Sequence, residues 1–206
     1  GSRANLANAS LAQGGRGLLG EGMVIGIGDN GDPSAHVDFT GRMISRYGSS
    51  IGQHGIHVSG TMAGAGNWVD TLAGYAPKAR LIVQFFNQIF DFAPQYVRDE
   101  GMVVTNNSYG AIVNECGYNG LYDLYSRAWD QQAFDLPELL HVFAAGNSGT
   151  LTCPPYATGF KTVLGSYQSA KNVLTVGATQ FTGDIASFSS RGPVIDGRIK
   201  PEITTQ

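Results

Sequence analysis

Three polar side chains in this sequence are of the types that acyl transfer requires. Asp29 follows a short apolar run, His54 precedes a run of small residues, and Asn147 follows two alanines and a glycine. Histidine suits proton transfer in both directions because its ordinary pKa lies nearest to neutral pH. An aspartate can hold the histidine tautomer, and a neutral amide can donate to a tetrahedral oxygen. The three residues predict a base, its orienting group and an oxyanion donor.

The surrounding segments predict an α/β fold. Apolar runs without polar alternation are typical of parallel strands that are buried on both faces. Strands are predicted within residues 22–29, 79–86, 103–104, 139–145 and 172–178. Helices are predicted from His54 and, by the spacing of apolar residues, over residues 120–134. This alternation predicts a three-layer, doubly wound, mostly parallel sheet with helices on both faces.

Composition limits the class of protein and its partners. The 206 residues are 42% hydrophobic and 14% charged, which fits one globular domain with a sizeable core. The net charge of −3 and the scattered lysines and arginines argue against nucleic acid as a partner. The apolar runs are too short to span a membrane. The low charged fraction and abundant glycine favour a secreted or extracellular enzyme, with the periplasm or cell surface as further locations.

The two cysteines allow one covalent cross-link. Cys116 and Cys153 are the only cysteines in the sequence, and they permit a single disulfide. Two buried free thiols are the alternative. A disulfide is favoured because the composition indicates an extracellular protein.

Three segments around the polar residues carry a family resemblance. Residues 24–31 (VIGIGDNG), 54–61 (HGIHVSGT) and 143–147 (FAAGN) resemble motifs of the subtilisin-like serine proteases, peptidase family S8. The order of aspartate before histidine agrees with that family. Smaller matches lie in residues 74–77 (GYAP), 106–110 (NNSYG), 171–178 (KNVLTVGA) and 187–193 (SFSSRGP). The resemblance covers the N-terminal and central part of the catalytic domain.

This resemblance implies a serine endopeptidase with an Asp-His-Ser triad. In that mechanism Asp29 would orient His54, His54 would carry the proton, and Asn147 would bind the oxyanion. Two segments would form the walls of the pocket for the residue before the cleaved bond: Ser108, Tyr109 and Gly110, and Ala144, Ala145 and Gly146. The implied partners are a peptide or protein substrate and a propeptide.

The sequence lacks the nucleophile motif of this family. No Gly-Thr-Ser-Met-Ala segment occurs in residues 1–206. We therefore expect a peptidase domain over residues 1–206 that lacks the C-terminal segment carrying the serine, and that segment is then a required partner. Asn30 and Ile56 also depart from the usual residues beside the aspartate and the histidine, as do residues 204–206. Neither Asn30 nor Ile56 removes a catalytic group.

Two other functional classes remain open. Residues 26–31 match the G-x-G-x-x-G pattern of dinucleotide-binding oxidoreductases, which requires a helix opening at that loop. Pro33 follows closely, and no acidic residue lies between Asp38 and Asp70, which weakens this interpretation. The second class is a catalytically inactive subtilisin-like binding or scaffold domain. Such a domain would have no chemical need for Asp29, His54 and Asn147, so the presence of all three argues against this class.

No cofactor is required for the proposed chemistry. A structural calcium ion could bind at Asp38, which matches a ligand position in many relatives, although a surface-loop aspartate is the alternative. His54 and His57 could share a metal ion, but a zinc protease would also need a glutamate between them. We therefore predict no catalytic metal.

Overall fold

The computed structural model describes residues 4–45, 52–110 and 115–206 of the chain. These residues form two compact units, one within residues 4–107 and the other within residues 108–206. In the described part of the chain, no helix is long and apolar enough to cross a membrane.

The first unit is built on four parallel strands in the order β2-β3-β1-β4. Their bounds are β1 Val24–Asp29, β2 Met43–Ser45, β3 Arg80–Phe85 and β4 Met102–Asn107. All six residues of β1 are buried, since this strand has a neighbour on each side and helices above and below. Asp29 is the last residue of β1 and lies opposite Phe85.

Helices lie against both faces of these strands. Their bounds are α1 Ala4–Asn8, α2 His54–Ala63, α3 Gln88–Asp91 and α4 Ala93–Glu100. On the α2 face, Ile25 and Ile27 of β1 join an apolar cluster with Ala63. On the other face, Ile89 of α3 lies so close to Gly26 that an added Cβ would come within 2.9 Å of it. The predicted layering is therefore present in this unit.

The second unit contains three parallel strands and one long helix among its described residues. The strands are β5 Leu140–Ala144, β6 Leu174–Ala178 and β7 Ile203–Thr205, in that order across the sheet. The helix is α5 Leu124–Asp135. Its Trp129 ring packs edge-on against His141 and Phe143 of β5, with centroids 4.6 and 4.8 Å apart.

The predicted start of the second helix is wrong by four residues. We predicted a helix over residues 120–134, but α5 begins at Leu124. The reason is a capping box: the Asp123 carboxylate accepts the Ser126 N–H at 3.0 Å, and the Ser126 hydroxyl accepts the Asp123 N–H at 3.2 Å. Residues 117–120 form a turn instead. Strands β2 and β7 and helices α3 and α4 were not predicted in these places, whereas α1 lies within residues 1–20, where an N-terminal arm or a short helix is expected.

The predicted disulfide is present. Cys116 and Cys153 are bonded with their Cα atoms 5.3 Å apart, so the free-thiol alternative is wrong. Cys153 is fully buried, whereas Cys116 is partly buried. The Lys161 ammonium donates to the Cys116 carbonyl at 2.6 Å and so fixes the less buried end of the bridge.

Candidate active site

Asp29 and His54 form a hydrogen-bonded pair in the first unit. Nδ1 of His54 lies 2.8 Å from one carboxylate oxygen of Asp29 and 2.9 Å from the other. The aspartate side chain is 1% exposed, while the imidazole is 54% exposed. A buried carboxylate therefore holds an imidazole that solvent can reach, and the hydrogen bond predicted from the sequence is confirmed.

This contact fixes the tautomer of the histidine. A carboxylate can only accept hydrogen bonds, so Nδ1 must carry the proton. In the neutral ring Nε2 then keeps its lone pair and can act as a base. One Asp29 oxygen also accepts the Asn30 N–H at 2.7 Å, which orients the carboxylate from its own chain.

The close approach of α2 to the end of β1 depends on glycine. The Gly55 N–H donates to the Asn30 carbonyl at 2.7 Å. A Cβ on Gly55 would lie 2.0 Å from that same carbonyl oxygen. Gly31 has a φ of +88°, and a Cβ on it would lie 2.0 Å from the Gly52 carbonyl oxygen. These glycines let the helix start against the strand end, which places His54 on Asp29.

Asn147 lies at the surface of the second unit, in the bend after β5. Ser190 ties down the residues on both sides of it. The Ser190 N–H donates to the Gly146 carbonyl at 3.1 Å, and the Ser190 hydroxyl accepts the Ser148 N–H at 3.0 Å. Gly146 has a φ of +115°, which favours glycine. The exposed Asn147 is thus carried on a braced turn, a geometry suited to a fixed amide donor.

The predicted first pocket wall, Ser108 to Gly110, is held by its middle residue. The Tyr109 ring packs against Phe143 and Tyr167, with centroids 5.9 and 5.7 Å apart. The buried Gln168 amide donates to the Tyr109 carbonyl at 2.8 Å. The wall is therefore anchored to the core of the second unit.

The predicted second wall, Ala144 to Gly146, leaves the sheet after β5. The Ala145 N–H donates to the Val176 carbonyl at 2.8 Å, and the Ala145 carbonyl accepts the Leu164 N–H at 3.1 Å. Ala144 is exposed and Ala145 is buried. The segment before β6 therefore runs beside this wall and brings Leu164 to it.

Sequence reasoning missed Leu164, Gln168 and Ser190. Both Leu164 and Gln168 lie between β5 and β6, Leu164 in irregular backbone and Gln168 in the four-residue 3-10 helix Ser166–Ser169, where no periodic pattern marks buried positions. Ser190 lies within residues 187–193, which were matched to the family without a role for this serine. The only usable signal was that family match.

The dinucleotide interpretation of residues 26–31 fails on the structure. That fold requires a helix to open at the glycine-rich loop. Here β1 is followed by a short 3-10 turn over Pro33–Ala35 and another over Val37–Phe39. Gly26 and Gly28 lie inside the strand itself and admit the side chain of Ile89. The glycines serve packing within the unit.

Two oxygens of Asp38 already have partners within the protein. Its carboxylate accepts the Asn67 N–H at 2.9 Å, and its carbonyl accepts from the Arg42 guanidinium. The same guanidinium donates to the carbonyls of Ala63 at 2.8 Å and Ala79 at 2.6 Å. A fixed positive charge thus already engages these three carbonyl oxygens. Among the described residues, no group of three or more His, Cys, Asp or Glu could hold a metal ion.

Comparison with known proteins agrees with the predicted family. The subtilase family model, peptidase S8, matches residues 20–206. Thermitase of Thermoactinomyces vulgaris is 29% identical over 196 residues, which are 86% of this chain and 62% of thermitase. The thermophilic serine proteinase of Bacillus sp. strain AK1 is 29% identical over 191 residues, 85% of this chain and 43% of that protein. The chain thus spans less than two thirds of the length of these relatives.

Solved structures show the same fold. A lanthipeptide protease superposes with a TM-score of 0.61 at 16% identity, covering 92% of this chain and 58% of that one. The psychrophilic subtilisin-like protease Apa1 from Pseudoalteromonas sp. AS-11 gives 0.58 at 22% identity, covering 83% and 39%. The chain therefore has the subtilisin-like α/β fold and belongs to the subtilase family.

Proposed function

We propose that this chain provides the aspartate, the histidine and the oxyanion asparagine of a serine endopeptidase. The observation that carries the proposal is the hydrogen bond from the half-exposed His54 to the buried Asp29, at 2.8 and 2.9 Å. An imidazole held through Nδ1 presents Nε2 as a base, which is the arrangement that activates a serine hydroxyl.

Each residue has a defined role in the reaction. Nε2 of His54 takes the proton as the serine oxygen attacks the peptide carbonyl, and Asp29 stabilises the imidazolium that forms. The Asn147 amide donates to the oxygen that gains negative charge. His54 then returns the proton to the leaving amine, and water hydrolyses the acyl-enzyme by the same route. The nucleophilic serine lies outside residues 1–206 in this proposal, since the sequence contains no Gly-Thr-Ser-Met-Ala motif.

The substrate is a peptide or protein chain. Residues 108–110 and 144–146 flank the side chain of the residue before the cleaved bond, and a propeptide is a further partner. We also propose that the protein is secreted, because the Cys116–Cys153 disulfide is of a kind that persists in oxidising compartments.

The nucleophile is tested by comparing residues 1–206 with the full-length protein. We expect the shorter chain neither to hydrolyse a chromogenic peptide nor to react with a serine-directed phosphonate. The full-length protein should do both, and mass spectrometry should place the phosphonate beyond residue 206. Labelling of a serine within residues 1–206 would refute this part of the proposal.

The triad assignment is tested by Asp29→Asn in the full-length protein. The amide leaves the shape almost unchanged but favours the wrong histidine tautomer, so kcat should fall by about 10⁴-fold. Asp70→Asn is the matched control, because Asp70 is an exposed aspartate of the same unit. Equal activity of the two variants would favour the alternative of a non-catalytic binding domain.

A further inference from the structure

We propose that Leu164 fills the space between the two pocket walls and thereby restricts the residue before the cleaved bond to a small side chain such as glycine, alanine or serine. This inference rests on the proposed function, since it assigns the specificity of the same pocket.

The geometry comes from one glycine in each wall. A Cβ on Gly110 would lie 2.6 Å from Cδ1 of Leu164. A Cβ on Gly146 would lie 2.7 Å from Cγ of Leu164 and 3.1 Å from its Cδ1. Since a Cβ lies about 1.5 Å from its Cα, both glycine Cα atoms are within about 4.2 Å of the leucine side chain, which is ordinary contact distance. One side chain therefore touches both walls.

Leu164 is held in this place through its backbone. Its N–H donates to the Ala145 carbonyl at 3.1 Å, and its carbonyl accepts the Ser169 hydroxyl at 3.2 Å. The preceding residue, Val163, is fully buried in a cluster with Ala145 and Val194. Val163 anchors the segment, and Leu164, which is only half-buried, remains within reach of a bound substrate.

The space behind Leu164 is closed as well. A Cβ on Gly110 would also lie 2.9 Å from Nε2 of Gln168, whose side chain is fully buried and bonded to the Tyr109 carbonyl. A large side chain entering between the walls would have to displace Leu164 and would then meet this fixed amide. A methyl or hydroxymethyl group needs neither movement.

The test uses the full-length protease and two peptide nitroanilides that differ only in alanine or phenylalanine before the cleaved bond. The wild-type kcat/KM should be at least about tenfold higher for the alanine substrate. Leu164→Ala should raise kcat/KM for the phenylalanine substrate about tenfold or more and change the alanine substrate only a few-fold. Val173→Ala, which shortens a buried side chain of the same unit, should leave the ratio unchanged.

Two additions make the test decisive. Leu164→Val opens less space and should shift the ratio in the same direction by less, which covers the case that Leu164→Ala does not fold. Calorimetric binding of the matching peptide acids needs no turnover. Absence of hydrolysis with retained preference for the alanine peptide would refute the proposed function but support the pocket inference. The pocket inference would be overturned if the wild type preferred phenylalanine, in rate or in binding. It would also be overturned if the ratio of kcat/KM for the two substrates were unchanged in both Leu164 variants.

Discussion

Gly55→Ala is the substitution that most directly tests how the site is positioned. Gly55 is the second residue of α2 and follows His54. The new Cβ would lie 2.0 Å from the Asn30 carbonyl oxygen and 3.0 Å from Cβ of Asp29. A carbon and a carbonyl oxygen require more than about 3 Å, so the start of the helix must move by about 1 Å.

That movement has two calculable effects. If His54 moves with the helix, its 2.8 and 2.9 Å contacts with Asp29 lengthen to about 3.8 Å, which is beyond hydrogen-bond reach. A displacement of this size costs about 10²-fold in kcat. The Gly55 N–H also loses its 2.7 Å bond to Asn30. The lost bond and the overpacking destabilise the protein, while alanine in a helix stabilises it. Together these effects should lower the free energy of unfolding by about 2 kcal/mol.

Gly60→Ala is the matched control within the same helix. Apart from its chain neighbours and the backbone of its own helix, no atom of the described residues lies within 4 Å of a Cβ built on Gly60. This variant should keep its activity and gain up to about 1 kcal/mol in the free energy of unfolding. Both variants are measured in the full-length protein by peptide hydrolysis and urea unfolding. NMR of the His54 Nδ1–H proton should show its signal lost only in Gly55→Ala. An intact proton signal and unchanged kcat in Gly55→Ala would refute this account of the site.

Three further predictions concern the second unit. Replacing Cys116 and Cys153 by alanine should cost about 4 kcal/mol in the chain-entropy model for a separation of 37 residues, measured by denaturant unfolding; no change would contradict it. Burial lowers the pKa of His141 from 6.5 to about 4, so stability present above pH 6.5 should be lost as the pH falls towards 4, by about 3 kcal/mol in all. His141→Phe should flatten that pH dependence by one proton, and an unchanged slope would refute it. Ser190→Ala removes the acceptor of the buried Ser148 N–H, which should lower the free energy of unfolding by about 1–3 kcal/mol. A roughly tenfold fall in kcat with unchanged KM would show that Ser190 also positions Asn147.

The sequence could predict the pair at the strand end because local signals and chemistry coincided there. The apolar run of β1 marks a buried strand, and Asp29 is the first charged residue after it. The helix carrying His54 was predicted at the residue where it starts. The structure then adds the reason that the two meet, which is the absence of side chains at Gly31 and Gly55. That reason depends on distances between separate segments and leaves little trace in a local pattern.

Other parts of the fold were beyond such reasoning for physical reasons. Helix α4 has Pro94 at its second position and only eight residues, so the helical spacing of its apolar positions is too short to stand out in the sequence. The predicted start of α5 ignored the capping chemistry of Asp123, although the pattern Asp-x-x-Ser was visible. Leu164 acquires its place from Gly110 and Gly146, which are 54 and 18 residues away in the sequence. Such a contact exists only after the chain has folded.

The glycines of the two units differ in what prevents a side chain from fitting, and the difference bears on how each site can change. At Gly55 the obstacle is a backbone carbonyl held by the strand end, so making room for a side chain there requires movement of His54 itself. At Gly110 the nearest atom is the end of a leucine side chain, which can turn to another rotamer. In the proposed function, substitutions at Leu164 should therefore alter which peptide is cleaved without moving His54. One unit holds a rigid Asp29–His54 pair, and in the other a single flexible side chain sets the shape of the proposed pocket.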